Sequence, residues 1–141
     1  MGNWFYWALC SAFFVAMTAI LTKIGLKDLD PDYAALIPTF VIAALLATYI
    51  HFSNKWINPL TLRSTTLSSL ILSGLATGAS WICYFRALKS ADAAKVASVD
   101  KLSVVLVALF AVIFLGERPS TREWLGIFLV GAGVFVLGWR R

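Results

Sequence analysis

The chain lacks the short motifs on which most enzymes depend. Its 141 residues contain no P-loop, no GxSxG and no HExxH pattern, so nucleotide hydrolysis, serine-hydrolase and zinc-protease chemistry have no support. One histidine and two cysteines offer neither metal-ligand spacing nor a disulfide framework. We therefore expect a protein that is not an enzyme and that binds no cofactor and no metal. Cys10 and Cys83 lie within apolar stretches, where we expect buried thiols.

Charge is also scarce, because only 13% of the residues are charged, although their balance gives a net charge of +5. In a soluble protein such a balance would suggest nucleic acid as a partner. Here the basic residues cluster at the ends of apolar stretches, as topology signals do, and we expect no nucleic-acid binding. The first 22 residues contain no Lys or Arg, so the first apolar stretch does not have the basic start of a signal peptide and is expected to remain in the mature protein.

Long apolar stretches dominate the chain. Hydrophobic residues make up 60% of it and the mean hydropathy is +0.83. About 20 helical residues cross a hydrocarbon core of about 30 Å, and lipid forces each crossing segment to satisfy its own backbone. The sequence therefore predicts one domain over residues 1–141, an all-α polytopic membrane protein with five transmembrane helices. We expect these spans at residues 4–22, 33–52, 67–88, 96–115 and 124–139.

Basic residues are distributed unequally between the two sides. Five spans place the termini on opposite faces of the membrane. The side of the N-terminus holds four basic residues and the side of the C-terminus holds seven, so the positive-inside rule favours a cytoplasmic C-terminus. We expect the protein in the inner membrane. The bias is modest, and insertion in both orientations stays open. The four are Lys55, Arg63, Arg118 and Arg122, and the seven are Lys23, Lys27, Arg86, Lys89, Lys95, Arg140 and Arg141.

Glycines mark faces at which helices approach closely. Gly74 and Gly78 form a GxxxG pair in the third span, and Gly126 and Gly133 lie seven residues apart in the fifth. The spacing leaves open whether the glycines of the fifth span pack between subunits or within one.

Several segments together resemble one known family. Leu115-Gly116-Glu117-Arg118 at the end of span four, Leu125-Gly126-Ile127 in span five, the segment 80–88 (SWICYFRAL) and Lys23-Ile24-Gly25-Leu26 resemble the EamA domain of the drug/metabolite transporter superfamily over the whole chain. The family commonly carries a proline thirteen residues before the glutamate; here Val104 occupies that position, so a proline kink is absent. The first span has no carboxylate, which sets the chain apart from the related four-span exporters that use a buried glutamate there.

The resemblance also implies an assembly. Members of this superfamily usually hold two inverted five-span units in one chain, so a single unit would be one half of a ten-helix inverted-repeat transporter. Alternating access places a site near the midplane between two inverted halves. The implied partner is a second copy in an antiparallel homodimer or a similar half-sized protein in a heterodimer.

Two adjacent charges are the sharpest candidate for a substrate site. Asp100 and Lys101 interrupt an apolar stretch, with Ser103 close to the face of Asp100, and charges inside spans are costly and often functional. A helix that starts near Ala93 would place Lys101 about 12 Å deep, and one that starts near Ser98 about 5 Å deep. Lys101 would attract a substrate anion, and Asp100 would bind a cation or carry a coupling proton. The alternative is a pair of charges at a helix end, with the lysine reaching the interface.

Aromatic and hydroxyl side chains lie on one face of two other spans. They are Thr77, Ser80, Trp81 and Tyr84 in span three, and Trp7, Ser11, Thr18 and Thr22 in span one. They are candidates for lining a solute path; the alternative is packing, with the hydroxyls bonded to their own backbone. Lys23 and Arg86 are interpreted as topology charges.

Together these features predict a secondary transporter or exporter half-unit for a small metabolite or drug-like solute. Two alternatives stay open: a subunit of a flippase for a lipid carrier of the undecaprenyl-phosphate-sugar type, and a membrane scaffold that transports nothing.

Overall fold

Six helices make up the described part of the chain. The structure, a computed structural model, describes residues 3–58 and 61–139. Its helices form five apolar segments long enough to cross a bilayer, which confirms the predicted fold class and identifies a multi-pass membrane protein. The helices are α1 (Asn3–Gly25), α2 (Pro31–Phe52), α3 (Ser64–Ser90), α4 (Ala93–Asp100), α5 (Leu102–Phe110) and α6 (Thr121–Gly138), with a π-helical turn at Ala111–Leu115.

Local sequence signals account for the helix ends. Asp30 caps α2 by accepting hydrogen bonds from the backbone N–H groups of Asp32 at 2.9 Å and Tyr33 at 3.3 Å. Pro31 suits the first helical position, because the N–H that proline lacks would have no partner within the helix there. Ser120 and Glu123 form a reciprocal capping box at the start of α6. Gly116 follows the π-helical turn with φ +69°, a left-handed conformation that glycine adopts without steric cost.

The fourth span is discontinuous, although it contains no proline. It runs over Ala93–Leu115 but is interrupted at Lys101, between α4 and α5. There the N–H of Lys101 donates to the carbonyl of Ser98 at 3.1 Å, and the N–H of Val104 donates to the carbonyl of Lys101 at 3.0 Å. Both bonds span three residues instead of four, so the backbone is wound more tightly at this step. The tighter winding does not require a proline, since Val104, at the position where the family commonly has one, donates its own backbone N–H there.

The N-terminal unit contains α1, α2 and α3, with α2 and α1 each packed against α3. In lipid, apolar area does not drive helices together, and close packing and polar contacts matter more. Small side chains accordingly contribute half of the buried positions. The buried residues are Ala19, Leu26, Ala34, Ala35, Phe85 and Leu88, and they lie towards the C-terminal ends of α1 and α3 and the N-terminal end of α2.

The C-terminal unit contains α4, α5 and α6, with α6 packed against the other two. A Cβ atom added to Gly131 would lie 3.3 Å from Cγ2 of Val105 in α5, whereas one added to Gly126 or Gly133 would meet no heavy atom within 4 Å. The glycines of α6 therefore divide: Gly131 serves packing within the unit, and the other three, Gly126, Gly133 and Gly138, have open space around them.

Both cysteines are exposed on helix surfaces, so the expectation of buried thiols is wrong. An apolar span in lipid does not have to bury its side chains in protein, because lipid tails are as apolar as leucine. Hydropathy therefore distinguishes membrane from water but not the lipid-facing side of a helix from its packed side.

Candidate functional site

The interruption of the fourth span carries its two charges. Asp100 is the last residue of α4 and Lys101 forms the step to α5. Because α4 begins at Ala93, Lys101 lies about 12 Å along the span, which agrees with the deeper of the two positions considered from the sequence. Both side chains are exposed and make no hydrogen bond or ion pair with any described residue.

The backbone at this step stays hydrogen-bonded. Lys101 keeps right-handed helical angles, with φ −66° and ψ −7°, and the three-residue bonds of Lys101 and Val104 bridge the step, so the helix is tightened there and not unwound. The chemistry of the step therefore comes from its side chains. They are a carboxylate and an ammonium group inside an apolar span, and Ser103 adds an exposed hydroxyl in the first turn of α5.

The candidates of the third span lie in the N-terminal unit. Trp81 and Tyr84 are half-buried in α3, and the ring of Trp81 stacks on that of Phe85, with centroids 6.2 Å apart and planes inclined by 23°. Thr77 is exposed, and its hydroxyl donates to the carbonyl of Ser73 at 2.8 Å. A hydroxyl bonded to its own backbone is the alternative to a solute contact. The hydroxyl oxygen of Thr77 can nevertheless still accept a hydrogen bond from a solute.

The candidates of the first span are also exposed. Trp7 and Ser11 lie in the N-terminal half of α1, where all described side chains are exposed. Thr18 donates to the carbonyl of Phe14 at 2.8 Å. Among the described residues, no hydrogen bond, ion pair or ring contact joins Trp7 or Ser11 to the candidates of α3, so their part in a solute path stays a prediction.

Sequence reasoning missed a polar cluster at one end of the N-terminal unit. The ammonium group of Lys89 donates to the carbonyls of Leu26, Lys27 and Leu29, and that of Lys23 donates to the carbonyl of Leu88. The guanidinium of Arg86 forms a two-pronged ion pair with Asp32, at 2.8 and 2.7 Å.

A signal for this cluster was present in the sequence. Lysines near the C-terminal ends of two helices that finish on the same side of the membrane can satisfy each other's terminal carbonyls. Lys23 and Arg86 were instead interpreted only as topology charges. The described residues contain no group of three or more potential metal ligands.

The fold and the interrupted, charged span together define a class: polytopic helical membrane proteins with a polar step inside one span. Within that class, the chain belongs to the EamA-like transporter family, whose sequence profile matches residues 2–139. No solved structure matched the chain.

Three relatives illustrate the range of lengths in which this unit occurs. The chain is 47% identical over 135 residues to an uncharacterized transporter in the cobO 3′ region of Sinorhizobium sp., covering 96% of each chain. It is 25% identical to the uncharacterized transporter YxxF of Bacillus subtilis, covering 95% of this chain but 42% of the relative. It is 27% identical over 74 residues to a probable 4-amino-4-deoxy-L-arabinose-phosphoundecaprenol flippase subunit, ArnE, of Yersinia pestis, covering 52% of this chain and 65% of the relative.

Proposed function

We propose that this membrane transporter is a half-unit that moves a small metabolite by alternating access, as an antiparallel homodimer or with a similar half-sized partner, in the inner membrane with a cytoplasmic C-terminus. Membership of the EamA-like family and five spans support transport. The chain matches about two fifths of the longer Bacillus relative, which supports its being one unit of a larger transporter. A second unit with the same odd number of spans would cross the membrane in the opposite orientation, so the two units would be inverted.

The observation that carries the proposal is the pair of unpartnered charges at the step in the fourth span. Placing an ionised side chain at the centre of a span costs about 2.5–3.5 kcal/mol on insertion scales. Nothing among the described residues offsets that cost for Asp100 or Lys101. A solute, a coupling ion or a partner subunit would supply the missing charges. We therefore assign Asp100 and Lys101 to the transport site.

The test is solute flux into liposomes that contain the purified full chain, with a panel of small anions, cations and zwitterions. Asp100→Asn and Lys101→Gln should abolish or redirect flux while insertion is unimpaired, because removing a charge makes insertion easier. Lys95→Gln is the matched control: Lys95 is paired with Asp92 at 2.6 Å within one helical turn, and its loss should leave flux unchanged.

The two site variants also separate substrate classes. Loss with Lys101→Gln alone would indicate an anionic substrate, and loss with Asp100→Asn alone a cationic substrate or proton coupling. Wild-type flux in both variants would show that the assignment of the site is wrong.

A second candidate function is a subunit of a lipid-carrier flippase, which the partial match to the Yersinia flippase subunit favours. Lys101 would then contact a lipid phosphate. Co-purification of a polyprenyl phosphate with the wild-type chain, and its loss in Lys101→Gln, would support this function over transport of a free solute.

A further inference from the structure

The polar cluster of the N-terminal unit joins the ends of three helices. Lys89, at the end of α3, donates to three carbonyls that follow α1, with distances of 2.8 Å to Lys27 and 3.2 Å to Leu29. Lys23, at the end of α1, donates to the carbonyl of Leu88 in α3. Each helix thus supplies a cation to the carbonyl end of the other, where the helix dipole is negative.

The third connection of the cluster reaches α2. Arg86 of α3 binds both carboxylate oxygens of Asp32 in the first turn of α2, a geometry that fixes orientation as well as distance. We call the set Lys23, Asp32, Arg86 and Lys89 the clamp. Its members lie on three different helices of one unit, so the clamp holds α1, α2 and α3 together at this end.

Packing in the unit is concentrated at the clamp. Five of the six buried side chains lie in the parts of the three helices that lead to it, and the sixth, Leu26, directly follows α1. In the other halves, residues 3–18 of α1, 36–52 of α2 and 64–80 of α3, every side chain is exposed or half-buried. The described N-terminal unit is therefore tightly packed at its clamp end and loosely packed at the opposite end.

The aromatic face of α3 ends at the clamp. Tyr84 precedes Arg86 by two residues, and Trp81 stacks on Phe85, which is buried in the packed end. A solute that moved along Thr77, Trp81 and Tyr84 would therefore be stopped by the clamp. The Arg86–Asp32 pair is itself exposed, with 62% and 47% of the two side chains accessible, and exposed ion pairs break at small cost.

We propose that the clamp is a gate that closes one end of the solute path and opens during transport. The inference rests on the proposed function and adds to it the residues that control access. In an antiparallel pair the two clamps lie at opposite faces of the membrane, so alternating access requires that one opens while the other stays closed.

The test measures access to a cysteine and does not need a substrate. The reporter is Ser80→Cys, on the membrane side of the clamp, in full-length protein carrying Cys10→Ser and Cys83→Ser and reconstituted in liposomes. A membrane-impermeant maleimide is applied from outside the liposomes, and Asp28→Cys, in the loop between α1 and α2, reports the fraction of subunits whose clamp lies on that side.

Removal of clamp contacts should speed labelling of Ser80→Cys in that fraction of subunits. Arg86→Met should raise the rate by about two- to fivefold, as expected for the loss of one exposed ion pair. Lys89→Met removes three charge-assisted hydrogen bonds and should raise the rate more than about tenfold. The double exchange Asp32→Arg with Arg86→Asp restores an ion pair, so it should return the labelling rate towards that of the reporter protein with an intact clamp. Lys95→Met, which breaks an ion pair within one turn of the other unit, should leave the rate unchanged.

The outcomes distinguish the gate from transport itself. Labelling within twofold of the parent in folded, monodisperse Arg86→Met and Lys89→Met would overturn the gate, whether or not solute flux is observed. A clamp that merely supports the fold would lower the melting temperature without changing the labelling rate of the subunits whose clamp faces the reagent, and this result would also overturn the gate. Faster labelling in a protein that moves no solute would retain the gate and refute the proposed function.

Discussion

Substitution of two glycines of α6, Gly131 and Gly133, should have opposite effects on stability, although the two lie only two residues apart. Gly131 faces α5, where a Cβ atom added to it would lie 3.3 Å from Cγ2 of Val105. A Cβ atom added to Gly133 would have no heavy atom within 4 Å. We expect Gly131→Leu to destabilise the chain and Gly133→Leu to leave the isolated subunit as stable as before or more so.

The magnitude follows from what the two substitutions share. Both replace glycine by leucine in a helix interior, and both gain helix propensity, by somewhat less than the about 0.8–1 kcal/mol that separates glycine from alanine. Only Gly131→Leu adds side-chain atoms to a contact that is already close, and overpacking costs about 1–3 kcal/mol. The difference between the two variants therefore isolates the packing term, because the helix term cancels.

Thermal unfolding of the purified variants in detergent, followed by loss of the monodisperse peak in size-exclusion chromatography, measures this difference. Gly131→Leu should unfold at the lower temperature by several degrees. Equal midpoints would refute the assignment of Gly131 to packing between α5 and α6. A lower dimer fraction in Gly133→Leu, at an unchanged midpoint, would indicate that the open glycine face contacts another subunit.

Three further predictions follow from the ends of the helices and the number of spans. Ser120→Ala removes the cap of α6 and should cost about 1 kcal/mol, measurable as a lower unfolding midpoint, with Thr121→Ala as the control that leaves the cap intact. Gly116→Ala forces a side chain into a left-handed conformation and should cost about 1–2 kcal/mol, whereas an unchanged midpoint would show that the turn relaxes. Cysteines introduced near the two termini and labelled from one side of the membrane should each react in part of the population; labelling of one terminus alone would exclude the antiparallel homodimer and leave an inverted partner protein.

The sequence determined the number of spans and the ends of the helices. Hydropathy over about 20 residues is a local property, and lipid enforces the helix wherever such a stretch occurs. Asp30, Gly116 and Ser120 fix helix ends through contacts within a few residues, so their roles can be deduced from neighbouring residues alone. Asp100 and Lys101 were identifiable for the same reason, since charges stand out in an apolar stretch.

Only the tertiary structure decided which polar groups meet. The bonds of the clamp join residues more than 50 positions apart, and no periodicity within one helix encodes such a pairing. The exposure of Cys10 and Cys83 and the division between Gly131 and the other glycines of α6 also depend on which side of each helix has a neighbour. Within a membrane, apolar side chains suit lipid and protein equally well, so composition fixes the spans but not the side on which each helix is packed.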